Sequence, residues 1–232
     1  MTRAPEGLLE GDEKRRAVTE MFDAIAPRYD AVNKVMTFGL DLWWRRRTVA
    51  LLGLPARSLV LDLACGTGDF LRVLERAGQR PVGLDLSEGM LRHARAGSSP
   101  LVRGDGAALC FPGGAFDGAV SGFALRNFSD LRAVLAELAR VVRPAGRVAV
   151  LEVAEPSAPL LRAGYRAWFN GAVPLIGRLL SDPGAYRYLP RSVAYLPAPA
   201  DLVAMLEAAG FGEVRRHLLT GGAVQVLTGT RA

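Results

Sequence analysis

A short apolar run that stops at a glycine turn and resumes as a helix constrains the fold of this chain most strongly. Val60 and Leu61 precede the segment Asp62-Leu-Ala-Cys-Gly66-Thr-Gly68, after which apolar residues recur with helical spacing as far as Leu74. The pattern predicts a strand, a tight loop and a helix. Glycines allow such a loop to approach a ligand closely and leave helix N–H groups directed at that ligand.

Two further acids are placed to contact the same ligand. Asp85 ends a second apolar run, Pro81-Val-Gly-Leu-Asp85, where doubly wound sheets carry the acid that binds the hydroxyls of a ribose. Asp105 lies in the turn Gly104-Asp105-Gly106 after a third short strand, where a carboxylate could accept a hydrogen bond from an adenine amino group. We therefore expect three acids at one edge of the sheet.

The loop lacks the features of a phosphate site. Leu71 stands where the dinucleotide pattern has its third glycine, and the lysine of a phosphate-binding loop is absent. An acid at the loop entrance would repel a pyrophosphate, whereas it suits an ammonium group or a positively charged sulfur. The pattern therefore predicts a nucleoside that carries an amino acid, namely S-adenosylmethionine. The residues that support this prediction are Asp62, Gly66, Gly68, Asp85 and Asp105.

Alternating strands and helices predict an α/β fold, a Rossmann-like doubly wound sheet of seven strands. Besides the strand before Gly104, strands are expected at about 58–63, 81–85, 117–121, 147–153, 212–219 and 223–229. Helices are expected at about 68–77, 87–96, 130–142 and 199–209. Thr220-Gly-Gly222 between the last two strands predicts a C-terminal antiparallel hairpin.

The N-terminal part, to about residue 56, is predicted to be a helical lid. Apolar residues from Val18 to Ile25 recur at helical spacing, and Pro27 is expected to end that helix. A second helical stretch is broken by Thr37-Phe-Gly39, and a third opens at Trp43. The predicted organisation is thus a lid at 1–56 and a domain at 57–232, with a substrate-side insert at about 155–197.

Composition excludes several classes of protein. The chain has 232 residues, half of them apolar, which suits one folded domain with a modest elaboration. No apolar run reaches the roughly 18 residues of a spanning helix, and the first seven residues contain no apolar signal region, so we expect a cytoplasmic protein. Two cysteines are too few for a disulfide framework, and His93 and His217 have no neighbours at ligand spacing, so we expect no metal site.

The net charge of +6 raises the question of an anionic partner. Residues 1–47 carry nine basic and eight acidic side chains, whereas residues 157–197 carry five arginines against Asp182 alone. Without a basic tail or an appended module, we expect no nucleic-acid partner. Apolar residues from Leu161 to Leu179 with interspersed arginines fit either a groove that contacts anionic lipid, and so a peripheral membrane contact, or a helix that packs in the core.

Longer motifs are spread along the chain, and the likeness that they carry runs from about residue 19 to the end. They are Tyr29-Asp-Ala-Val-Asn33 with Trp44-Arg45, Asp62-Leu-Ala-Cys-Gly-Thr-Gly68, Gly83-Leu-Asp-Leu-Ser-Glu-Gly-Met-Leu91, Phe123-Ala-Leu-Arg-Asn-Phe128, Val142-Arg-Pro-Ala-Gly-Arg147, Tyr186-Arg-Tyr-Leu189 with Ser192, and Leu219-Thr-Gly-Gly222. In these motifs the chain resembles the quinone-ring C-methyltransferases of menaquinone and ubiquinone biosynthesis. The resemblance implies cofactor contacts that include Thr67, Leu86, Gly106 and Gly122, the last where the family often has a serine.

The resemblance further implies methylation of a prenylated quinol, with demethylmenaquinol favoured over the benzoquinol intermediate of ubiquinone synthesis. A phenol's reference pKa is about 10, so a nearby positive charge would help a quinol to act as a carbon nucleophile. Arg126 follows a predicted strand end and is the first candidate for this catalytic role; the alternative is a surface arginine that pairs with Asp130.

Other candidates lie on either side of the sheet domain. Tyr29 and Asn33 come from the predicted lid, Tyr29 as a second catalytic candidate and Asn33 as a substrate contact. Tyr186 and Tyr188 either line the quinol ring or fill the core. Methylation of another small molecule or of a lipid, and a non-enzymatic regulator that binds S-adenosylmethionine, remain alternatives; the sequence is also compatible with a homo-oligomer.

Overall fold

The computed structural model describes residues 9–168, Gly171 and residues 192–232. The strands of the described part are β1 (Leu59–Leu63), β2 (Arg80–Asp85), β3 (Leu101–Arg103), β4 (Phe116–Gly122), β5 (Val142–Val153), β6 (Phe211–Leu219) and β7 (Val224–Arg231). Its α-helices are α1 (Gly11–Met36), α2 (Leu40–Leu52), α3 (Asp69–Arg76), α4 (Glu88–Arg92), α5 (Leu131–Val141), α6 (Pro159–Ala167) and α7 (Pro199–Ala208).

The seven strands form one sheet in the order β3-β2-β1-β4-β5-β7-β6. The first five strands are parallel to one another, and β7 is antiparallel to both β5 and β6. The predicted doubly wound sheet and its C-terminal hairpin are therefore confirmed. The chain leaves β1 toward β2 and β3 and later returns to β4 on the other side, so a crevice opens where the carboxyl ends of β1 and β4 meet.

Both faces of the sheet are covered, as the apolar strands require. Successive residues of a strand point to opposite faces. Leu61 and Leu63 accordingly pack in a core with α5 and α7, whereas Val60 packs in a second core with α2 and α3. Asp62 belongs by this alternation to the α2 and α3 face, which places a carboxylate beneath the glycine loop.

The N-terminal helix differs from the prediction. Pro27 does not end it, because α1 continues unbroken from Gly11 to Met36 with Pro27 inside. A proline in a helix interior removes one hydrogen bond, and buried residues on both sides, Ile25, Ala26 and Val32, anchor the helix across that point. Tertiary packing thus overrides the local signal. The expected break at residues 37–39 is present, with Phe38 and Gly39 at positive φ, and α2 begins there.

Candidate functional site

Asp62 and Asp85 lie at the carboxyl ends of β1 and β2, and Asp105 lies in the turn after β3, so the three acids are at one edge of the sheet, as expected. A cavity of about 110 Å³ at this edge, here called the acidic pocket, contains six of the predicted cofactor residues. They are Gly66, Asp85, Leu86, Asp105, Gly106 and Gly122. Thr67 and Asp62 line a smaller adjoining cavity, together with Gly66 and Gly122. Gly68 lines neither cavity; it is the residue that begins α3, at φ +84°.

Asp85 is held by the glycine loop. Its Oδ2 accepts a hydrogen bond from the Gly66 N–H at 2.8 Å, and its Oδ1 accepts one from the Ser87 N–H at 2.9 Å. Burial raises the pKa of this carboxyl above its usual value, while the backbone N–H groups oppose the increase. A carboxylate has about four lone-pair sites, so Asp85 can still accept a hydrogen bond from a ligand.

These contacts account for the N–H groups of the two loop glycines. The N–H of Gly66 donates to Asp85, and that of Gly68 donates to the Cys65 carbonyl at 2.9 Å, so neither is directed at a ligand. The ends of β1 and β2 are neighbours in the sheet, which makes the Asp85 carboxylate the nearest acceptor. The loop positions an acid instead of forming a phosphate cradle.

Asp62 is a buried acid that no described residue pairs. Its side chain is 1% exposed, and neither carboxylate oxygen has a hydrogen-bond partner in the described part of the chain. Burial raises its pKa well above the usual value. An unpaired buried carboxylate is costly, and a ligand ammonium group in the adjoining cavity would pair it. The orphaned oxygens therefore fit the amino-acid end of S-adenosylmethionine.

Arg45 lines the same small cavity and had no predicted role. Its Nη1 lies 3.2 Å from Asp41 Oδ2 and its Nη2 lies 3.3 Å from Asp69 Oδ2. Its buried Nε has no hydrogen-bond partner among the described residues. A free guanidinium N–H beside the unpaired Asp62 matches the carboxylate and ammonium of an α-amino acid. In the sequence only the Trp44-Arg45 motif pointed to Arg45, and that motif gave no information about where the side chain lies.

Helix α1 forms the roof of the acidic pocket and is tied to the segment that follows each of the first three strands. Arg15 Nη1 donates to Asp105 Oδ2 at 3.0 Å, and Asp23 Oδ1 accepts from the Gly89 N–H at 2.8 Å. Asp30 accepts from the hydroxyl of Thr67. The three α1 residues recur about every two turns, so they share one helix face. Two predicted cofactor contacts, Thr67 and Asp105, thus also hold the roof.

Close packing at the middle of the roof depends on glycine. A Cβ on Gly89 would lie 2.8 Å from the Cα of Asp23, so a larger residue would push α1 away from α4.

A second cavity, of about 240 Å³, adjoins the first and is here called the apolar pocket. The predicted residues Tyr29, Asn33 and Arg126 all line it, among mostly apolar side chains. Tyr29 also lines the acidic pocket and the small cavity, so its ring forms a shared wall. Burial raises the pKa of the Tyr29 phenol, which keeps the phenol protonated at neutral pH.

Arg126 is buried, which excludes the surface alternative. It lies in the 3-10 turn Leu125–Asn127 directly after β4 and is 6% exposed. Its Nη1 pairs with the carboxylate of Glu152, and its Nε donates to Ser192 Oγ at 3.1 Å. Asp130, the alternative partner, begins α5 and accepts from the Ala133 N–H at 3.0 Å.

Several predictions fall on residues 169–170 and 172–191. Tyr186 and Tyr188, and most of the segment from Leu161 to Leu179, lie outside the described residues. Among the described residues, no group of three His, Cys, Asp or Glu could hold a metal ion. No helix among the described residues has the length and apolar character needed to cross a membrane.

The chain is similar to known proteins over nearly its whole length. A sequence model of the ubiE/COQ5 methyltransferase family matches residues 10–231. The chain is 46% identical over 220 residues to demethylmenaquinone methyltransferase of Thermus thermophilus, covering 91% of this chain and 100% of that protein. It is 40% identical over 220 residues to ubiquinone/menaquinone biosynthesis C-methyltransferase UbiE of Syntrophotalea carbinolica, covering 91% and 93%.

Solved structures share the fold at low sequence identity. A SAM-dependent methyltransferase from Aquifex aeolicus has a TM-score of 0.62 at 17% identity, over 88% of this chain and 98% of that one. Phosphoethanolamine N-methyltransferase 2 of Haemonchus contortus, in complex with S-adenosylhomocysteine, has a TM-score of 0.58 at 13% identity, over 80% of this chain and 52% of that one.

Proposed function

Because the chain belongs to the ubiE/COQ5 methyltransferase family, we propose that it methylates a ring carbon of demethylmenaquinol, with S-adenosylmethionine as the methyl donor. The observation that carries this proposal is the contact between two unlike pockets. One is acidic and has no phosphate cradle; the other is apolar and has Arg126 in its wall. Tyr29 lines both, so ligands in the two pockets would lie side by side.

The donor site uses acids from three strand ends. Bound S-adenosylmethionine supplies a methyl group on a positively charged sulfur that leaves as a neutral thioether. Asp85 would accept hydrogen bonds from the ribose hydroxyls, and Asp105 from the adenine amino group. Asp62 and Arg45 would bind the ammonium and the carboxylate of the methionine end. Charge-assisted hydrogen bonds of this kind contribute about 1.5–3 kcal/mol each.

The acceptor site activates and positions the quinol. An apolar pocket excludes water from the ring and strengthens the field of a nearby charge. Arg126 would stabilise the quinolate that forms when a ring hydroxyl loses its proton to water. That negative charge is used up as the ring carbon accepts the methyl group, and the hydrogen on the same carbon then leaves as a proton to restore the aromatic ring. Tyr29, protonated at neutral pH, could donate a hydrogen bond to the same ring. Positioning two reactants side by side can lower a barrier by roughly 7–11 kcal/mol.

The mouth of the apolar pocket supports a contact with the prenyl tail and with a bilayer surface. Phe38 and Leu40 line the pocket and are 71% and 39% exposed, and Trp43 follows on the outer face of α2 with 49% exposed. Arg46 and Arg47, the next residues on that face, are exposed as well. Apolar side chains backed by arginines favour peripheral binding to anionic lipid.

Product analysis tests the proposed reaction. Purified protein would be incubated with S-adenosylmethionine and demethylmenaquinol in detergent, beside a benzoquinol that carries the same tail. We expect menaquinol, identified by mass, and one S-adenosylhomocysteine for each methyl group transferred, with the naphthoquinol preferred. Methylation of neither quinol by protein that still binds S-adenosylhomocysteine would indicate another acceptor.

Flotation with vesicles tests the membrane contact separately. The wild-type protein should float with vesicles that contain anionic lipid and less with neutral vesicles, and Trp43→Ser should reduce flotation. Equal behaviour of wild type and Trp43→Ser would exclude this surface from lipid binding, whatever the reaction.

A further inference from the structure

A buried acid lies directly behind the proposed catalytic arginine. Glu152, near the end of β5, is 0% exposed. Its Oε1 accepts from Arg126 Nη1 and from the N–H of Val153, the latter at 2.9 Å. Its Oε2 is buried and has no hydrogen-bond partner in the described part of the chain. An apolar residue would fill this core position at a lower desolvation cost, so the carboxylate needs another explanation.

The contacts of Arg126 supply that explanation. A guanidinium has three nitrogens in a rigid fork. Nη1 is held by Glu152, and Nε is held by Ser192 Oγ at 3.1 Å. Nη2 donates to no described residue, while the Arg126 side chain lines the apolar pocket. Two anchored nitrogens fix the plane of the fork, and none of the described residues occupies the third.

The balance of charge also favours a role for Glu152 in holding Arg126. An unpaired guanidinium in an apolar pocket would be costly and would move toward water or toward another acid. Paired with Glu152, it forms a neutral unit that a neutral quinol can approach. When the quinol oxygen becomes negative, the N–H groups of Nη2 already have a fixed orientation, which is the condition for electrostatic stabilisation without reorganisation.

We propose that Glu152 is a positioning residue for methyl transfer: its carboxylate orients and balances Arg126 so that Nη2 of Arg126 meets the quinol oxygen. The proposal rests on the proposed function, since it assigns Arg126 to the acceptor. Glu152 itself touches no substrate in this account. It acts through the guanidinium.

Two other ionisable groups lie beside this pair in the described part of the chain. Tyr165 of α6 lies within electrostatic range of both Arg126 and Glu152, and burial raises its pKa to about 12. Tyr29 of α1 lies within electrostatic range of Arg126, and burial raises the pKa of its phenol as well. Both phenols therefore stay protonated near neutral pH, and a change in the pH profile there reports on the quinol or on the pair.

Glu152→Gln is the main test, because it keeps the volume and one oxygen acceptor but removes the charge. Looser orientation should lower kcat by about tenfold, the scale of losing one charge-assisted hydrogen bond. Loss of the negative charge leaves Arg126 unbalanced, which stabilises the quinolate, so the apparent pKa of the acidic limb of the kcat profile should fall. The affinity for S-adenosylhomocysteine, measured by calorimetry, should not change.

A double-mutant cycle separates positioning from a general structural effect. Arg126→Lys keeps a positive charge but loses the fork, so Glu152→Gln should cost little in the Arg126→Lys background. Thr228→Val is the matched control. It removes a buried hydroxyl on the neighbouring strand β7 that contacts His217, and it should alter neither kcat nor the pH profile. Circular dichroism checks folding, and Glu152→Asp replaces Glu152→Gln if the latter does not fold.

The outcomes distinguish the inference from the proposed function. A wild-type protein that methylates no quinol overturns both. An active wild type with an unshifted pH profile in Glu152→Gln, or with losses that multiply fully in the double variant, overturns only the inference. Non-additive losses with a lowered apparent pKa establish Glu152 as a positioning residue.

Discussion

The acidic pocket and the apolar pocket share the wall formed by Tyr29, yet the chain builds them in different ways. The acids of the first pocket and of the small cavity beside it stand at the ends of three neighbouring strands, and short local motifs bring each one there. The second pocket joins α1, the turn before α2, the turn after β4, Trp168 and the hairpin at Thr220. Donor binding is therefore encoded locally, whereas the acceptor site exists only in the folded chain.

The two pockets also differ in charge. The charged groups that line the first are two acids, Asp85 and Asp105, and one arginine, Arg15, which pairs with Asp105. The second contains one buried cation, Arg126, balanced by one buried acid, Glu152. This difference divides the expected effects of substitutions: changes in the acidic pocket should weaken donor binding, and changes in the apolar pocket should lower turnover.

Arg126→Met should have the largest effect. Loss of the charge that stabilises the developing quinolate should reduce kcat by about 100- to 1000-fold, with the affinity for S-adenosylhomocysteine unchanged. Steady-state kinetics and calorimetry measure the two quantities. Arg132→Met, at an exposed position of α5, is the control. If Arg126→Met weakened donor binding as much as turnover, the two pockets would not be separable.

Asp85→Asn should have the next largest effect, and it should weaken donor binding more than it lowers turnover. Replacing the charged acceptor of the ribose hydroxyls should weaken S-adenosylhomocysteine binding by about 10- to 100-fold, while kcat at saturating donor falls less. Asp201→Asn, at an exposed acid in α7, should bind normally. An unaltered affinity in Asp85→Asn would remove this carboxylate from the donor site.

Donor binding should depend on pH through Asp62. Burial raises its pKa, so the carboxyl of the free protein takes up a proton at a higher pH than an exposed aspartate, and that proton must leave before an ammonium group can pair with the carboxylate. Affinity should therefore fall as pH decreases below the raised pKa, by up to about tenfold per pH unit for one proton. Asp62→Asn should flatten the profile; Asp85, whose pKa is also raised, accounts for any slope that persists.

A substitution in α1, the roof of the acidic pocket, should have the smallest effect on the donor. Asp30→Ala removes the tie to Thr67, so S-adenosylhomocysteine should dissociate about three- to tenfold faster, the scale of one hydrogen bond. Stopped-flow fluorescence can follow the release. Glu20→Ala, on an exposed position of the same helix, is the matched control. Identical release rates in both variants would show that α1 does not act as a lid.

The sequence predicted the sheet and the strand-end acids because both depend on local patterns. Alternating strands and helices predict a parallel sheet, and such a sheet necessarily gathers the carboxyl ends of its strands at one edge. Asp85 and Asp105 could be predicted in this way. The hairpin at Thr220–Gly222 was predicted from its glycines.

Contacts between distant segments were not accessible to the same reasoning. Arg126 and Glu152 are 26 residues apart, and no spacing rule relates the turn after β4 to the end of β5. The ties of α1 to Thr67 and Asp105 depend on how the helix lies over the sheet. The continuation of α1 through Pro27 depends on packing on both sides of the proline, which a local breaker signal does not contain.

Titration calorimetry of the wild-type protein is the sharpest test of whether acidic side chains at the strand ends bind an adenosyl amino acid. Separate titrations with S-adenosylhomocysteine and with NADH, under the same conditions, compare the two kinds of ligand. The account predicts saturable binding of S-adenosylhomocysteine and none of NADH. Binding of NADH without binding of S-adenosylhomocysteine would contradict it.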